Sequence, residues 1–230
     1  MMLQNIMGTP LLSWLASSLI AGGVGRFFLV CHERFKREAR ACFPDDVEFS
    51  CPSVEATSDQ LHVFLSTADE TEDDIIVVTG PAVILPFAAD EEQFDSAPIA
   101  SPVTSVSKQA LMAALDEKFI FTAFLKDHGV PYTDRDGVYG VADLQEMTSW
   151  QPVLSRAKLY ELSRQGVEIW DYNTTYVDPA ASVGAGTALL PGTILRGQTS
   201  IGKNCTIGPN SYLENARVGD GTKVNASQIY

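Results

Sequence analysis

The chain has 230 residues and a formal net charge of −13. That length is enough for two domains, and the acidic balance excludes a nucleic-acid or anionic-membrane surface, because phosphate-rich partners are met by Lys and Arg. Cys31, Cys42, Cys51 and Cys205 have no C-x-x-C spacing and form no metal-ligand pattern with His32, His62 and His128, so they read as reduced thiols of a cytoplasmic protein.

Leu11–Ala21 is apolar, but it lacks a basic leader, is interrupted at its start by Pro10 and is too short to span a bilayer. The sequons at Asn173, Asn204 and Asn225 are then turn residues. Leu11–Ile20 reads as a helix after Gly8-Thr9-Pro10, broken by Gly22-Gly23-Val24-Gly25. Arg26–Cys31 is an apolar run of strand length, and Glu33–Ala41 a charged amphipathic helix. A second unit repeats the grammar: helix Asp59–Thr67, an acidic loop Asp69–Asp74, and strand Ile75–Thr79 ending at Gly80-Pro81. Residues 88–106, rich in Ala, Ser, Pro and acid with the run Asp90–Asp95, read as a surface loop. Helices follow at Lys108–Glu117 and Ile120–His128, closed by Gly129, then a strand at Val130–Thr133. Helices alternating with apolar strands predict a parallel sheet covered on both faces, a small α/β domain over residues 1–145.

Residues 146–170 form a linking arm around a helix Val153–Gln165, with Leu154, Ala157, Leu159 and Leu162 on or near one face and Gly166 in the stop position. Val167–Trp170 and Asp171 lead into the last domain, residues 171–230. There an aliphatic residue returns every six positions: Val177, Val183, Leu189, Leu195, Ile201, Ile207, Leu213. A small residue sits four places after each of these up to Ile207: Ala181, Thr187, Thr193, Thr199, Cys205, Ser211. After Leu213 the next aliphatic, Val218, comes one residue early. The period resumes at Val224 and, with an aromatic, at Tyr230; Thr222 fills the small slot after Val218, whereas Gln228 after Val224 does not. Neither helix nor ordinary strand repeats at six. Each hexad is a short strand and a turn, three make a triangular coil, and the stack is a left-handed parallel β-helix of about three coils. Its last coil presents unpaired backbone, so Tyr230 is expected to mark a truncation or a surface that needs a partner. Aliphatic stacks and flat faces also suit a homotrimer.

The junction Gly166-Val-Glu-Ile-Trp-Asp-Tyr-Asn-Thr-Thr-Tyr-Val-Asp-Pro179, continued by Leu190-Pro-Gly-Thr-Ile-Leu-Arg-Gly197 and Ile207-Gly-Pro-Asn-Ser211, resembles a bifunctional bacterial family. Its members acetylate glucosamine-1-phosphate and uridylylate N-acetylglucosamine-1-phosphate to make UDP-N-acetylglucosamine. The resemblance implies a nucleotidyltransferase domain of reduced Rossmann-like type, a linking helix and a trimerising left-handed β-helix, with Mg²⁺ and acetyl-CoA as cofactors. In the N-terminal domain it is one of outline. Leu3 with Gly8-Thr9-Pro10-Leu11-Leu12 is similar to the segment after the family's nucleotide loop, and Val138–Asp143 to the segment before its linking helix. The loop itself, L-A-A-G-x-G-T-R-M followed by P-K, is missing because the chain starts after it; Gly22–Arg26 reads as a turn and does not replace it. Ala56-Thr57-Ser58-Asp59-Gln60 preserves the family's uridine-binding G-T-x-x-A poorly.

The family's metal ligands are an Asp after the Gly that ends its central strand and an Asn in a G-V-N context. Pro81 and Ala142 stand in those places, leaving Asp143 as the candidate metal ligand. The family's general-base His and acetyl-CoA site lie on coils beyond Tyr230, and the three histidines here all precede residue 129. No catalytic residue is therefore assigned. The expected function is that of a protein of UDP-N-acetylglucosamine synthesis type with its pyrophosphorylase site lost, a truncated or partial acetyltransferase. The alternative is a non-catalytic trimerising or regulatory module that binds a sugar phosphate, a sugar nucleotide or a full-length relative.

Overall fold

The computed structural model describes residues 1–68, 74–85, 101–117, 119–133 and 136–230. These form two compact units, one of residues 1–4 and 10–143, the other of residues 5–9 and 144–230. Strands β1 (Asn5–Ile6) and β2 (Thr9–Pro10) flank a turn in which Met7 and Gly8 both take positive φ, 51° and 84°.

In the first unit, α1 (Leu11–Ala21) starts at Pro10, whose φ of −56° suits a helix entry, and ends at Gly22-Gly23. Its buried residues point two ways. Leu12 and Ala16, four apart, pack with Ala39, Cys42 and Phe43; Leu15 packs with Ala82, Val103 and Val138. Strand β3 (Arg26–Phe28) leads through a 3-10 turn into α2 (Lys36–Arg40), and β4 (Glu48–Ser50) returns parallel to β3. Next come α3 (Thr57–Ser66), β5 (Asp74–Val78), β6 (Ala82–Ile84), β7 (Val103–Ser107), α4 (Lys108–Leu115), α5 (Phe121–His128), β8 (Val130–Pro131) and β9 (Val138–Gly140).

The pairing differs from the expected parallel sheet. Among the described residues of this unit β3 and β4 run parallel, β5, β7 and β8 form an antiparallel sheet, and β6 pairs antiparallel with β9. Gly80-Pro81 explains part of the departure. Proline has no N–H to give to a ladder, and the chain beyond it leaves the β5 sheet and joins β9. The expected loop over 88–106 is also corrected where it is described, because β7 occupies Val103–Ser107 with Val103 and Val106 buried. The rest of that loop with Asp90–Asp95, and the run Asp69–Asp74 apart from Asp74, lie outside the described residues.

In the second unit α6 (Leu144–Ser149) precedes α7 (Gln151–Arg164), which carries Pro152 in its first turn and is followed by Gly166 at φ 89°. Leu159 and Leu162 of α7 join one apolar core with Val167, Val177 and Leu189, so the helix covers one end of the strand stack that follows. The strands are β10 (Glu168–Ile169), β11 (Tyr176–Val177), β12 (Ser182–Val183), β13 (Ala188–Leu189), β14 (Ile194–Arg196), β15 (Ser200–Ile201), β16 (Thr206–Ile207), β17 (Tyr212–Glu214), β18 (Arg217–Val218), β19 (Lys223–Val224) and β20 (Gln228–Ile229). They build three parallel sheets, β10-β13-β16-β19, β11-β14-β17-β20 and β12-β15-β18.

Val177, Val183, Leu189, Leu195, Ile201, Ile207 and Leu213 all turn inward and are buried. Parallel stacking places each over its equivalent one coil on, as Val177 over Leu195 and Leu195 over Leu213. The small slots are buried as well, and their hydroxyls have work there. Thr187 Oγ1 donates to Gly202 O at 2.8 Å and accepts from Cys205 N at 3.0 Å; Thr199 Oγ1 donates to Arg196 O at 2.6 Å and accepts from Ala216 N at 3.3 Å. A corner backbone group buried without such a partner would cost about 1–3 kcal/mol.

One expectation at the end of the stack is corrected. Leu213 pairs with Ile229, so the inward residue of β20 is Ile229, and Tyr230 is 80% exposed. Ser227, not Gln228, then fills the small slot, and its N–H donates to Ser211 Oγ at 3.4 Å. The coil has been trimmed a second time. The partner offset is eighteen residues for Val183 and Ile201, seventeen for Ile201 and Val218, and sixteen for Leu213 and Ile229.

Candidate functional site

Pro81 and Ala142, far apart in sequence, come to the same end of the β6–β9 ladder. Ala82 pairs with Gly140, and one step beyond, Val141 N donates to Pro81 O at 3.0 Å. Ala82 and Val141 are buried beneath this end, whereas Ala142 and Asp143 are exposed. Strand pairing therefore unites the two positions that the family resemblance singles out, but the chemistry there does not suit Mg²⁺. A hard cation needs several oxygen ligands. Pro81 has only its carbonyl, already engaged by Val141; Ala142 has no side-chain oxygen; Asp143 adds one carboxylate. Among the described residues no three His, Cys, Asp or Glu side chains gather to hold a metal.

The histidines are scattered. His32 caps the 3-10 turn, its Nδ1 accepting from Arg34 N; His62 lies 3.7 Å from Asp116; the His128 ring stands 4.9 Å from Phe124. Gly22 to Gly25 form the turn that closes α1, with Gly22 N bonded to Ser18 O. Ala56–Gln60 enter α3, with Thr57 Oγ1 donating to Ser53 O.

The most concentrated polar cluster of the second unit was not anticipated from the sequence. Asp178 is 3% exposed, and both its oxygens are used. Oδ1 accepts from the Tyr176 hydroxyl at 2.6 Å and from the Thr9 hydroxyl at 2.5 Å; Oδ2 accepts from Gly197 N at 2.7 Å and lies 3.3 Å from Arg196 Nε. Arg196 Nη1 also donates to Met7 O, and its guanidinium lies 5.3 Å from the Tyr176 ring centre. Burial, then the hydrogen bond to Asp178, pushes the Tyr176 phenol above its usual range. Tyr176 is thereby kept as a proton donor to a carboxylate. The arrangement pins residues 7–9 to the strand stack and offers no free base or nucleophile. A signal was present in the sequence: Val177 pairs with Leu195, so their successors Asp178 and Arg196 are coil neighbours of opposite charge, and Arg196 in turn pairs with Glu214.

Residues 180–215 match the family model for the bacterial transferase hexapeptide (six repeats). The bifunctional protein GlmU of Caldanaerobacter subterraneus is 34% identical over 101 residues, which cover 44% of this chain and 22% of that relative. GlmU of Halalkalibacterium halodurans is 35% identical over 91 residues, covering 40% and 20%, and GlmU of Clostridioides difficile 32% identical over 102 residues, covering 40% and 22%. The match thus spans about a fifth of the length of these curated relatives. Over that span the chain is similar to GlmU, and its hexapeptide repeats fall in the stack of three parallel sheets.

Proposed function

We propose that this is a protein of the UDP-N-acetylglucosamine synthesis type in which the nucleotidyl-transfer site has been lost and the acetyltransferase-type β-helix remains. The observation that carries the reading is the β6–β9 end. Nucleotidyl transfer needs a divalent ion on the phosphate oxygens, and Pro81 and Ala142 replace carboxylate and amide where that ion would sit. The stack of β10–β20 is read as left-handed and trimerising, in the cytoplasm, with a sugar phosphate or sugar nucleotide as the small-molecule partner. Among the described residues, no helix is long and apolar enough to cross a membrane.

The test is pyrophosphate release from UTP and N-acetylglucosamine-1-phosphate with Mg²⁺, on the native chain and on Pro81→Asp/Ala142→Asn. The reading expects no turnover by the native chain. Native turnover sinks it.

The second reading, a non-catalytic trimerising or regulatory module, is favoured by the Asp178 cluster, whose groups are consumed in holding the chain to itself. Co-purification of differently tagged copies with a full-length GlmU would support it; exclusive self-association would remove the full-length relative as its partner.

A further inference from the structure

Two of the four cysteines are placed differently from the others. Cys42 is buried with Sγ directed at Glu38 O, and Cys205 is buried in the solenoid with Sγ against Gly219 O. Cys31 and Cys51 instead face each other, Sγ to Sγ 3.7 Å apart, and neither is fully buried. Their positions follow from the parallel register. Phe28 pairs with Ser50 and Leu29 N donates to Ser50 O, so Cys51 follows directly from β4 and Cys31 lies just beyond β3, both at the carboxyl edge of the pair. The chain between them holds the 3-10 turn and α2. Burial and then the facing Cys31 push the Cys51 thiol up to about 11, against the opposing charge of Lys36, which is itself paired with Glu33 at 2.6 Å. The species that attacks a disulfide is the thiolate, so exchange at this pair quickens as pH rises.

We propose that Cys31 and Cys51 form a reversible redox pair that joins the ends of β3 and β4 by thiol–disulfide exchange with a low-molecular-weight disulfide such as oxidised glutathione. One cysteine thiolate attacks the small disulfide, forming a mixed disulfide and releasing one small thiol. The second cysteine, after losing its proton, attacks the protein sulfur of that mixed disulfide and releases the second small thiol. Two protein thiols become one disulfide while one small disulfide becomes two thiols, so electrons and protons balance. A disulfide bond is about 2.05 Å long, so the two partly exposed sulfurs have to close from 3.7 Å. The closed bond ties together two cysteines twenty positions apart, with α2 between them.

The test treats the folded chain with a series of oxidised to reduced glutathione ratios, quenches with an alkylating agent, counts free thiols and maps peptides without reduction. The expected result is a fall from four alkylated cysteines to two, with a Cys31–Cys51 linked peptide two hydrogens lighter than its parts. Dithiothreitol should reverse it, Cys42→Ser should keep it, and Cys31→Ser and Cys51→Ser should each abolish it and leave a glutathione adduct on the remaining partner. Glutathione adducts without the cross-link in the native chain, a link to Cys42 or Cys205, or four thiols at every ratio would each overturn the proposal.

Discussion

Asp178 and Arg196 occupy adjacent coils of the same sheet face, and each reaches past the other to the segment at residues 7–9, Asp178 to the Thr9 hydroxyl and Arg196 to the Met7 carbonyl. A carboxylate this deeply buried is stable only because four donors converge on it. Asp178→Ala would leave Arg196 Nε, the Tyr176 and Thr9 hydroxyls and Gly197 N without this acceptor. Urea unfolding of the variant should show a loss of about 3 kcal/mol, the usual cost of removing one member of a buried ion pair.

Gly8 tests the same lock from the other side. Its φ is 84°, and a Cβ there would run into the Arg196 guanidinium. Gly8→Ala should cost about 1–2 kcal/mol from backbone conformation alone and should free residues 5–9, seen as faster amide exchange there with the β10–β20 amides still protected. Equal exchange in both chains would show that the segment is held by something else.

The Tyr176 phenol supplies a pH signature. Its folded-state pKa is raised above the unfolded value near 10, first by burial and then by Asp178. Its contribution is complete below about pH 10 and is lost as pH climbs from there toward the folded value, with a slope of about 1.4 kcal/mol per pH unit for one proton. Stability measured between pH 9 and about 11.5 should fall more steeply for the native chain than for Tyr176→Phe. Parallel curves would mean that the phenol is not selectively protected in the folded state.

The revised register at the last strand can be checked with two adjacent substitutions. Ile229 packs on the solenoid core and Tyr230 is exposed, so Ile229→Ala should cost about 1–2 kcal/mol and Tyr230→Ala under about 0.5 kcal/mol. The reverse order would restore the strict six-residue period. As a reference, Leu195→Ala in the fully buried stack should cost about 2–5 kcal/mol.

Much of the second unit was legible because its code is local and repeated: one inward aliphatic and one small residue per side, seven sides in phase, with Gly166 stopping the helix before them. The failure came at Val224 to Ile229, where two adjacent large residues, Ile229 and Tyr230, both fitted the inward slot by composition. Only pairing with Leu213 decides between them. In the first unit the helices were recoverable from their apolar spacing and breakers, but β4, β6 and β9 are three-residue strands whose partners are remote in sequence. No local pattern announces such pairings. The meeting of Pro81 with the residues around Ala142 was suggested by family resemblance and not by any periodicity; of the Asp178 cluster, reading the sequence eighteen residues at a time brings out Asp178 with Arg196 but not Thr9, 169 residues away.

The shortening offset between stacked partners has a geometric consequence. Eighteen residues separate Val183 from Ile201 but sixteen separate Leu213 from Ile229, while the strands keep their pairing, so the coils of the stack are not all equivalent. Interchangeable coils exist only where the offset is constant. Excising residues 184–201 would bring Val183 onto the spacing formerly held by Ile201 and leave later sides in phase, whereas eighteen residues removed directly after Ile207 would leave the next side one residue out of step, because the partner of Ile207 one coil on, Val224, is seventeen residues away.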